Sequence, residues 1–404
     1  MITRLDLDER VREWRLRDDV VEKDYVLGWL LWGIGSDAVL GDAWVFKGGT
    51  CLKKCYIETY RFSEDLDFTV MPGGPSQPEA VLPILRGVLD RVAQESGLNF
   101  SGREPTMSVR PKGGIEGRVF YNGPRGAQGV ASVKIDLSAT EVVVRPTVLQ
   151  RISHVYPDRL PEPATVRCYS FEELFAEKIR AMGERSRPRD LYDIVNLFRR
   201  DDLQAVPALI RDALQEKCRT KGVPVPTLAS VMGSDFFSEL KADWANMLAH
   251  QLPALPPFQD FIDELPNLFA WLEGTLVQEP LEAAPATAEE AEEEDVALAA
   301  GAPSQVWSPP PTAWVWGSGS ALESIRFAAV NHLCVDLSYD NKRRVIEPYS
   351  LRRTKSGNLL LHAVKVDTRE ARTYRVDRIQ GAQVLSQSFK PMYAIEFSSK
   401  GRIN

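Results

Sequence analysis

The sequence predicts an α/β (α+β) lobe with an attached helical lobe, followed through a connector by a small all-β module. Three observations carry this. Two apolar, strand-like runs bracket a Gly-Gly turn between residues 43 and 68. Helical spacing of apolar residues prevails from about residue 170 to 275. Short β-type runs recur after Ile325, beyond an acidic Ala/Pro-rich stretch. At 404 residues the chain has room for two or three domains. The expected division is 1–199 and 200–277 for the two lobes of one unit, 278–320 for the connector and 321–404 for the β module.

The first run, Ala43 to Phe46, leads through Lys47 into Gly48-Gly49-Thr50; the second carries Asp65-Leu66-Asp67-Phe68. Residues i and i+2 of a strand share a face, so Asp65 and Asp67 project together while Leu66 and Phe68 face the core. Convergent carboxylates suit hard divalent cations. A glycine turn lets backbone N–H groups approach a phosphate. Either half alone is unspecific, since most Asp-x-Asp pairs are solvated surface and most Gly-Gly pairs are turns. In this order and spacing they describe metal-assisted phosphoryl or nucleotidyl transfer.

The words Gly48-Gly49-Thr50-Cys51-Leu52 and Arg61-Phe62-Ser63-Glu64-Asp65-Leu66-Asp67-Phe68 resemble the polymerase-β-like nucleotidyltransferase superfamily, and within it the AbiEii/AbiGii toxin branch. The resemblance extends over about residues 20 to 275. It implies a nucleotidyltransferase fold, an NTP substrate with Mg²⁺ (or Mn²⁺), and membership of a bacterial toxin–antitoxin or phage-defence pair with a cognate antitoxin. It also implies nucleotide contacts from Lys47, Gly48, Gly49, Thr50 and Ser63.

Further along, Ala131 to Leu137 alternates with strand period: Val133, Ile135 and Leu137 on one face, Ser132, Lys134 and Asp136 on the other. By itself this is either an exposed strand with an ion pair or a third ligand. The resemblance selects Asp136 as the third metal ligand, with Lys134 neutralising triphosphate charge. Ser170-Phe171-Glu172-Glu173 reads as a capping box. The helix it opens sets Lys178 among Leu174, Phe175, Ala181 and Met182, where a lysine must reach a partner or snorkel outward. Resemblance implies that Lys178 contacts nucleotide phosphates, with Arg185 assisting. Pro188 ends that stretch, and Leu191, Ile194, Val195 and Phe198 form the buried stripe of the next helix. The dipole at its N-terminus suffices to explain Asp190. Arg189-Asp190-Leu191-Tyr192-Asp193 matches the family's last motif, which implies that Asp193 belongs to the active site without being a metal ligand.

No apolar run approaches membrane-spanning length; the longest, Tyr25 to Ile34, is too short and contains Gly28. The acidic N-terminus lacks the layout of a signal peptide. Five scattered cysteines (Cys51, Cys55, Cys168, Cys218, Cys334) read as reduced thiols of a cytoplasmic protein, with Cys51 and Cys55 too isolated for a zinc site. Charge is unevenly spread. Ala242 to Ile325 holds fourteen Asp and Glu and no Lys or Arg; Arg326 to Asn404 holds fifteen basic and seven acidic side chains, a net of +8. The connector, with its acid block Glu289 to Asp295 and Trp307, Trp314 and Trp316 as apolar exceptions, has too few apolar anchors to fold alone. It is either a solvated linker or a nucleic-acid mimic acting in cis.

Five β-type runs follow (Cys334 to Tyr339, Arg344 to Ser350, Leu359 to Val366, Arg372 to Val376, Gln383 to Leu385), separated by turn signals, as in a small barrel or curled sheet. Val335 to Tyr339, Arg344 to Tyr349, Asn358 to Leu361 and Tyr374 to Ile379 resemble WYL domains, which implies an Sm-like barrel binding nucleic acid or a nucleotide ligand. Leu359-Leu360-Leu361 stands where the name-giving Trp-Tyr-Leu would fall. Arg344, Arg352, Arg353, Arg372, Arg375 and Arg378 supply a phosphate-binding inventory, with Tyr374 pairing stacking to charge. Some of these arginines are expected to pair with Glu347, Asp367 and Asp377 instead.

The sequence therefore reads as a cytoplasmic, two-metal, Mg-dependent nucleotidyltransferase toxin, with Asp65, Asp67 and Asp136 as ligands. The resemblance implies an RNA acceptor such as the tRNA 3′ end, or a protein. The alternatives are a small-molecule nucleotidyltransferase and a non-catalytic WYL-type regulator binding nucleic acid or a ligand.

Overall fold

The structure is a computed structural model that describes residues 1–57, 61–110, 114–126, 131–200, 203–277, 281–285, 318–353 and 359–397. The acid block Glu289 to Asp295, the three connector tryptophans and the side chain of Arg353 lie outside the described residues. The chain forms two compact units: Met1–Val11, Leu16–Ser186 and Val206–Phe236 in the first, Arg12–Arg15, Arg187–Ala205 and Phe237–Asn404 in the second.

A mixed seven-stranded sheet organises the first unit. Its strands are β1 (Trp44–Lys47), β2 (Asp65–Val70), β3 (Thr106–Val109), β4 (Ile115–Tyr121), β5 (Ala131–Ser138), β6 (Val148–Arg151) and β7 (Thr165–Cys168), in the order β3-β4-β5-β2-β1-β7-β6. β1 and β2 run antiparallel, whereas β2 with β5 and β1 with β7 run parallel. Alternation is visible in β5, where Val133, Ile135 and Leu137 are buried and Ser132, Lys134 and Asp136 are half-buried. β1 is buried throughout, as expected of a central strand.

The apolar segment containing Tyr25 to Ile34 is a buried core helix (Asp18–Gly35) that packs on the helix Pro78–Ser96. Gly33 makes that approach possible. A Cβ there would lie 2.9 Å from Val88 Cγ1 and closer still to Val92. Among the described residues no helix is long and apolar enough to cross a membrane. Ser170 caps the helix Phe171–Arg185, its hydroxyl accepting from the Glu173 N–H at 3.3 Å. The reciprocal half of the expected box is replaced: the Glu173 carboxylate accepts from the Val144 and Arg145 N–H groups at 2.9 and 2.8 Å.

In the second unit the helix Pro188–Phe198 packs with Trp244–Leu248 and Phe258–Glu273. Tyr192 stacks on Phe261 at 5.4 Å, and its hydroxyl donates to Asn331 Oδ1 at 3.0 Å. The C-terminal strands are β8 (Leu333–Tyr339), β9 (Lys342–Arg353), β10 (Leu359–Lys365), β11 (Ala371–Arg375) and β12 (Ile379–Ser388). They form an open antiparallel sheet in the order β11-β10-β9-β8-β12, so the expected closed barrel is corrected. The 3₁₀ turn Val376–Arg378 carries the chain from one edge to the other, and β12 pairs with β8 rather than closing on β11. The helix Ser318–Val330, unforeseen in the sequence, packs on β8, β9 and β12 and covers apolar surface that a barrel would enclose.

One buried ion pair secures the first unit behind the glycine turn. Lys54 Nζ lies 2.7 Å from Asp24 Oδ2 with both side chains under 4 % exposed, and the Tyr156 hydroxyl donates to the same carboxylate oxygen at 2.9 Å. Burial raises the Asp24 pKa, but Lys54 and Lys53 outweigh it and leave the group below its ordinary value. This stability is present above the ordinary carboxylate range and lost as pH falls through the depressed pKa. Lys54→Met, which strands the carboxylate, should cost about 3–5 kcal/mol in denaturant unfolding, and Asp24→Leu combined with it should recover most of that. A single variant within about 1 kcal/mol of wild type would show that the pair contributes little.

Candidate active site

Strand register assembles the site. Lys47 on β1 stands opposite Asp67 on β2, Asp67 opposite Asp136 on β5, and Asp136 opposite Glu116 on β4. Asp65 stands opposite Lys134. All three expected carboxylates are therefore neighbours on one face of the sheet, and Lys134 is beside them.

Their electrostatics differ. Asp136 is already neutralised: Lys134 Nζ is 2.8 Å from Oδ2, and Arg110 pairs with Oδ1 while holding Glu116 at 2.8 Å. Among the described residues Asp65 and Asp67 are in no ion pair. Burial pushes the Asp67 carboxyl up to about 6; Lys47 and Lys178 oppose the shift, and Asp136 and Asp65 add to it. Burial likewise raises Asp65, against Lys134. Adjacent carboxylates of raised pKa form an under-compensated negative site, and their oxygen donors fit a hard divalent cation.

The turn lies against this row. Gly48 has φ +80°, and a Cβ on it would collide with the Asp67 carboxylate. A Cβ on Gly49 would lie 2.9 Å from Arg61 Nη2 and 3.2 Å from Ser63 Oγ. Bare backbone thus faces a guanidinium, a hydroxyl and the Asp67 carboxylate. The Thr50 hydroxyl is otherwise engaged, donating to the Asp65 carbonyl at 2.5 Å and fixing the turn to β2.

Lys47 is only 7 % exposed, its ammonium paired with Glu141 and held 3.1 Å from Glu177. Burial lowers the Lys47 pKa, but Glu177 and Glu141 override it and hold the group well above its ordinary value. Glu177, raised by burial, is pulled down to about 2 by Lys47, Lys217 and Arg180. Lys217 in turn lies 2.9 Å from Glu173 and 4.3 Å from the Tyr169 ring centre. Lys178 is 9 % exposed, one residue beyond Glu177, and its charge reaches Asp67. Arg185 is exposed in the last turn of that helix. Asp193 is fully buried on Pro188–Phe198 in the second unit.

Sequence reasoning missed Arg110, Glu116, Glu141 and Lys217. The alternation at the start of β4 is a signal that could have put Glu116 on a polar face, and no local pattern marks the others. Within the C-terminal sheet, the Arg344 guanidinium lies 5.5 Å from the Tyr339 ring centre and 5.7 Å from that of Tyr374. Tyr374 is 4 % exposed, so its ring is no open stacking platform. Arg352 donates to the Ala284 carbonyl at 2.9 Å and pairs with Glu396 at 3.6 Å. Arg372 is exposed and pairs with Glu370 at 3.1 Å; Arg375 pairs with Asp377 at 2.8 Å; Arg378 is exposed. Glu347 is held by Arg369.

A glycine turn laid against register-aligned carboxylates in a mixed sheet is the organisation of a nucleotidyltransferase-class lobe. Residues 29–264 match the family model described as the nucleotidyl transferase AbiEii toxin of a type IV toxin–antitoxin system, and residues 320–384 match the WYL domain model. The chain belongs to the AbiEii nucleotidyl transferase toxin family, and carries a WYL domain after it. Two solved structures show some likeness. MenT4, a nucleotidyltransferase toxin from Mycobacterium tuberculosis, is 22% identical with a TM-score of 0.42, over 68% of this chain and 90% of that one. Proteasome accessory factor B/C (PafBC) of Arthrobacter aurescens is 12% identical with a TM-score of 0.19, over 94% of this chain and 74% of the other. Neither is close enough to carry residue roles across. No curated protein matches the chain.

Two outcomes follow from this geometry. Asp67 holds its proton more tightly folded than unfolded, so its contribution to stability is full below the ordinary carboxylate range and is lost as pH rises through about 6. Asp67→Asn should therefore stabilise the metal-free protein at neutral pH by about 1–2 kcal/mol, and no gain in denaturant midpoint would refute the strain. Gly48→Ala, placing a Cβ at positive φ against Asp67, should destabilise by about 1–3 kcal/mol; a wild-type unfolding midpoint would overturn the reading of the turn.

Proposed function

We propose that this protein is a metal-dependent nucleotidyltransferase toxin that moves an NMP group from an NTP to a macromolecular acceptor, RNA in the first place and the tRNA 3′ end in particular. The single observation that carries the reading is the row of Asp65, Asp67 and Asp136 on adjoining strands beside the Gly48-Gly49 turn. Family membership supports nucleotidyl transfer; the acceptor, the metal and the toxin–antitoxin or phage-defence setting are our inference.

Asp65, Asp67 and Asp136 would hold Mg²⁺ or Mn²⁺. The ion, when bound, supplies charge neutralisation at the reacting phosphate and lowers the cost of bringing the acceptor oxygen to it. The backbone of Gly48-Gly49 and the Ser63 hydroxyl would take the triphosphate, with Arg61 close by. Lys134, now held by Asp136, would share its charge with phosphate oxygens. Lys178 would offset negative charge growing on the departing pyrophosphate. An acceptor hydroxyl attacks the α-phosphorus, its proton leaves, and the bond to the β-phosphate oxygen breaks. Lys47 would act as a fixed charge beside Asp67, since its ammonium is committed to Glu141 and Glu177. We assign Asp193 to positioning, and Arg185 to the outer phosphates. A cognate antitoxin would oppose the activity. At the WYL domain, Arg344, Arg352, Arg372, Tyr374 and Arg378 are the proposed contacts for nucleic acid or a nucleotide ligand.

The test is transfer of label from α-labelled NTPs, one nucleotide at a time with Mg²⁺, into total bacterial RNA by wild type and Asp67→Asn. Wild type alone should label tRNA-sized species, with at least about a hundredfold loss in the variant. Equal labelling by both would remove the metal assignment. Label in protein or small molecules, with none in RNA, would replace the acceptor.

A further inference from the structure

Outside the carboxylate site, the first unit brings together three side chains that the sequence keeps apart. Cys51 ends the short helical turn Gly48–Cys51. Cys55 lies in the following Leu52–Tyr56 segment, which is wound as a π-helix and closed by the Ile57 N–H donating to the Leu52 carbonyl at 2.7 Å. Cys168 ends β7, and its parallel pairing with Phe46 of β1 swings it across to the other two. The three sulfurs lie within 4.8 Å of one another, and Cys55 Sγ is 3.6 Å from Cys168 Sγ. Cys51 and Cys55, expected to be too isolated for a zinc site, are joined in space by Cys168.

From this cluster we propose that Cys51, Cys55 and Cys168 form a binding site for a thiophilic d¹⁰ cation, Zn²⁺ or Cu⁺, behind the glycine turn. The separations support it. Metal–sulfur bonds of about 2.3 Å set thiolates about 3.8 Å apart in a tetrahedral site and about 4.0 Å apart in a trigonal one. A disulfide would need about 2.05 Å, and all five cysteines are free. The observed 3.6 Å falls near the coordination spacing.

Ligand type and access agree. Three sulfur donors without an oxygen ligand select soft cations over Mg²⁺ or Ca²⁺. Cys51 and Cys168 are completely buried, whereas Cys55 retains 8 % exposure and is the ligand nearest solvent. Among the described residues no His, Asp or Glu joins the group. Three-coordinate Cu⁺ is then complete as it stands, while Zn²⁺ would take its fourth donor from solvent. Buried thiols also occur as small apolar fillers, and the experiment separates that role from this one.

A cation here would tie the helical turn after Gly48-Gly49-Thr50 to β7, and so fix the backbone next to the carboxylates. Binding displaces thiol protons, and each metal–sulfur bond formed releases one, with no oxidant or reductant involved. Because the ligands are thiolates and not the aspartates, the site stands or falls independently of the transfer reaction.

The test uses the full-length protein, reduced and stripped with chelator. Co²⁺ serves as the first probe, since thiolate-bound cobalt gives a charge-transfer absorption that carboxylate-bound cobalt lacks. Zn²⁺ should bleach that band at one equivalent per chain. In a separate anaerobic arm, Cu⁺ should be drawn from a colorimetric chelator at the same stoichiometry. The arm that binds tighter names the resident cation. Cys51→Ser, Cys55→Ser and Cys168→Ser should each weaken binding at least about tenfold, and Cys218→Ser should not. Should a variant fail to fold, alkylation of the wild-type protein decides: metal should slow the reaction of Cys55, the one ligand with any exposure, and leave the rates of Cys218 and Cys334 unchanged. No charge-transfer band and no shielding with either cation, or binding retained in folded Cys168→Ser, would overturn the site.

Discussion

The parallel register of β2 on β5 is the constraint on which the rest of the first unit depends. It sets Asp67 directly opposite Asp136 while β1 sets Lys47 opposite Asp67. Followed outward, the charges alternate in sign. Glu173 holds Lys217, Lys217 faces Glu177, and Glu177 holds Lys47. On the far side Asp136 holds Lys134 and Arg110, and both reach Glu116. Among the described residues the alternation breaks between Lys47 and Lys134, where Asp67 and Asp65 stand without an ion pair beside the neutralised Asp136. A sheet so thoroughly compensated elsewhere concentrates its excess negative charge at one point, and that point adjoins the glycine turn.

Compensation also decides what each group is free to do. Lys47 is nearly buried, and drawing its ammonium away would leave Glu141 and Glu177 uncompensated in a low-dielectric site, a penalty of several kcal/mol by the usual measure. It therefore acts as fixed charge. Lys134 and Arg110 are 27 % and 40 % exposed and can exchange a carboxylate for a phosphate at small cost. The same reasoning separates Thr50 from Ser63: the Thr50 hydroxyl is spent on the Asp65 carbonyl, whereas Ser63 Oγ lies over the bare Gly49 backbone.

What could be read from the sequence was what is local in it. Period-two alternation placed Asp65, Asp67, Lys134 and Asp136 on polar faces, and Ser170 marked a helix start, because strand pleat and cap chemistry act over a few residues. Partners chosen by register were hidden. Arg110 follows β3 and Glu116 lies on β4, elements whose neighbours no pattern specifies, and Glu173 looked like half of a capping box although tertiary N–H groups claimed it. Cys168 joins Cys51 and Cys55 only through the parallel pairing of β1 with β7, more than a hundred residues apart in the chain. The C-terminal strands were legible individually, while open sheet versus barrel depended on where β12 pairs and on the helix Ser318–Val330.

The same distinction bears on the surplus of positive charge after Ile325. Formal net charge treats every arginine alike, but the sheet does not. Arg352 is anchored between a carbonyl and Glu396, and Arg369 neutralises the buried Glu347, so neither can be withdrawn without stranding a partner. Arg343 with Asp336 and Arg372 with Glu370 are solvent-screened pairs, readily traded for phosphate. Lys342, Arg378 and Lys390 are exposed and in no ion pair among the described residues. Any anion meeting this sheet from solvent would thus find Arg343, Arg372 and Arg378 before Arg352, while the Tyr374 ring is buried with the Arg344 guanidinium 5.7 Å from its centre. The positive charge accessible on this sheet is therefore that of its exposed side chains, which a formal net of +8 does not distinguish from the anchored ones.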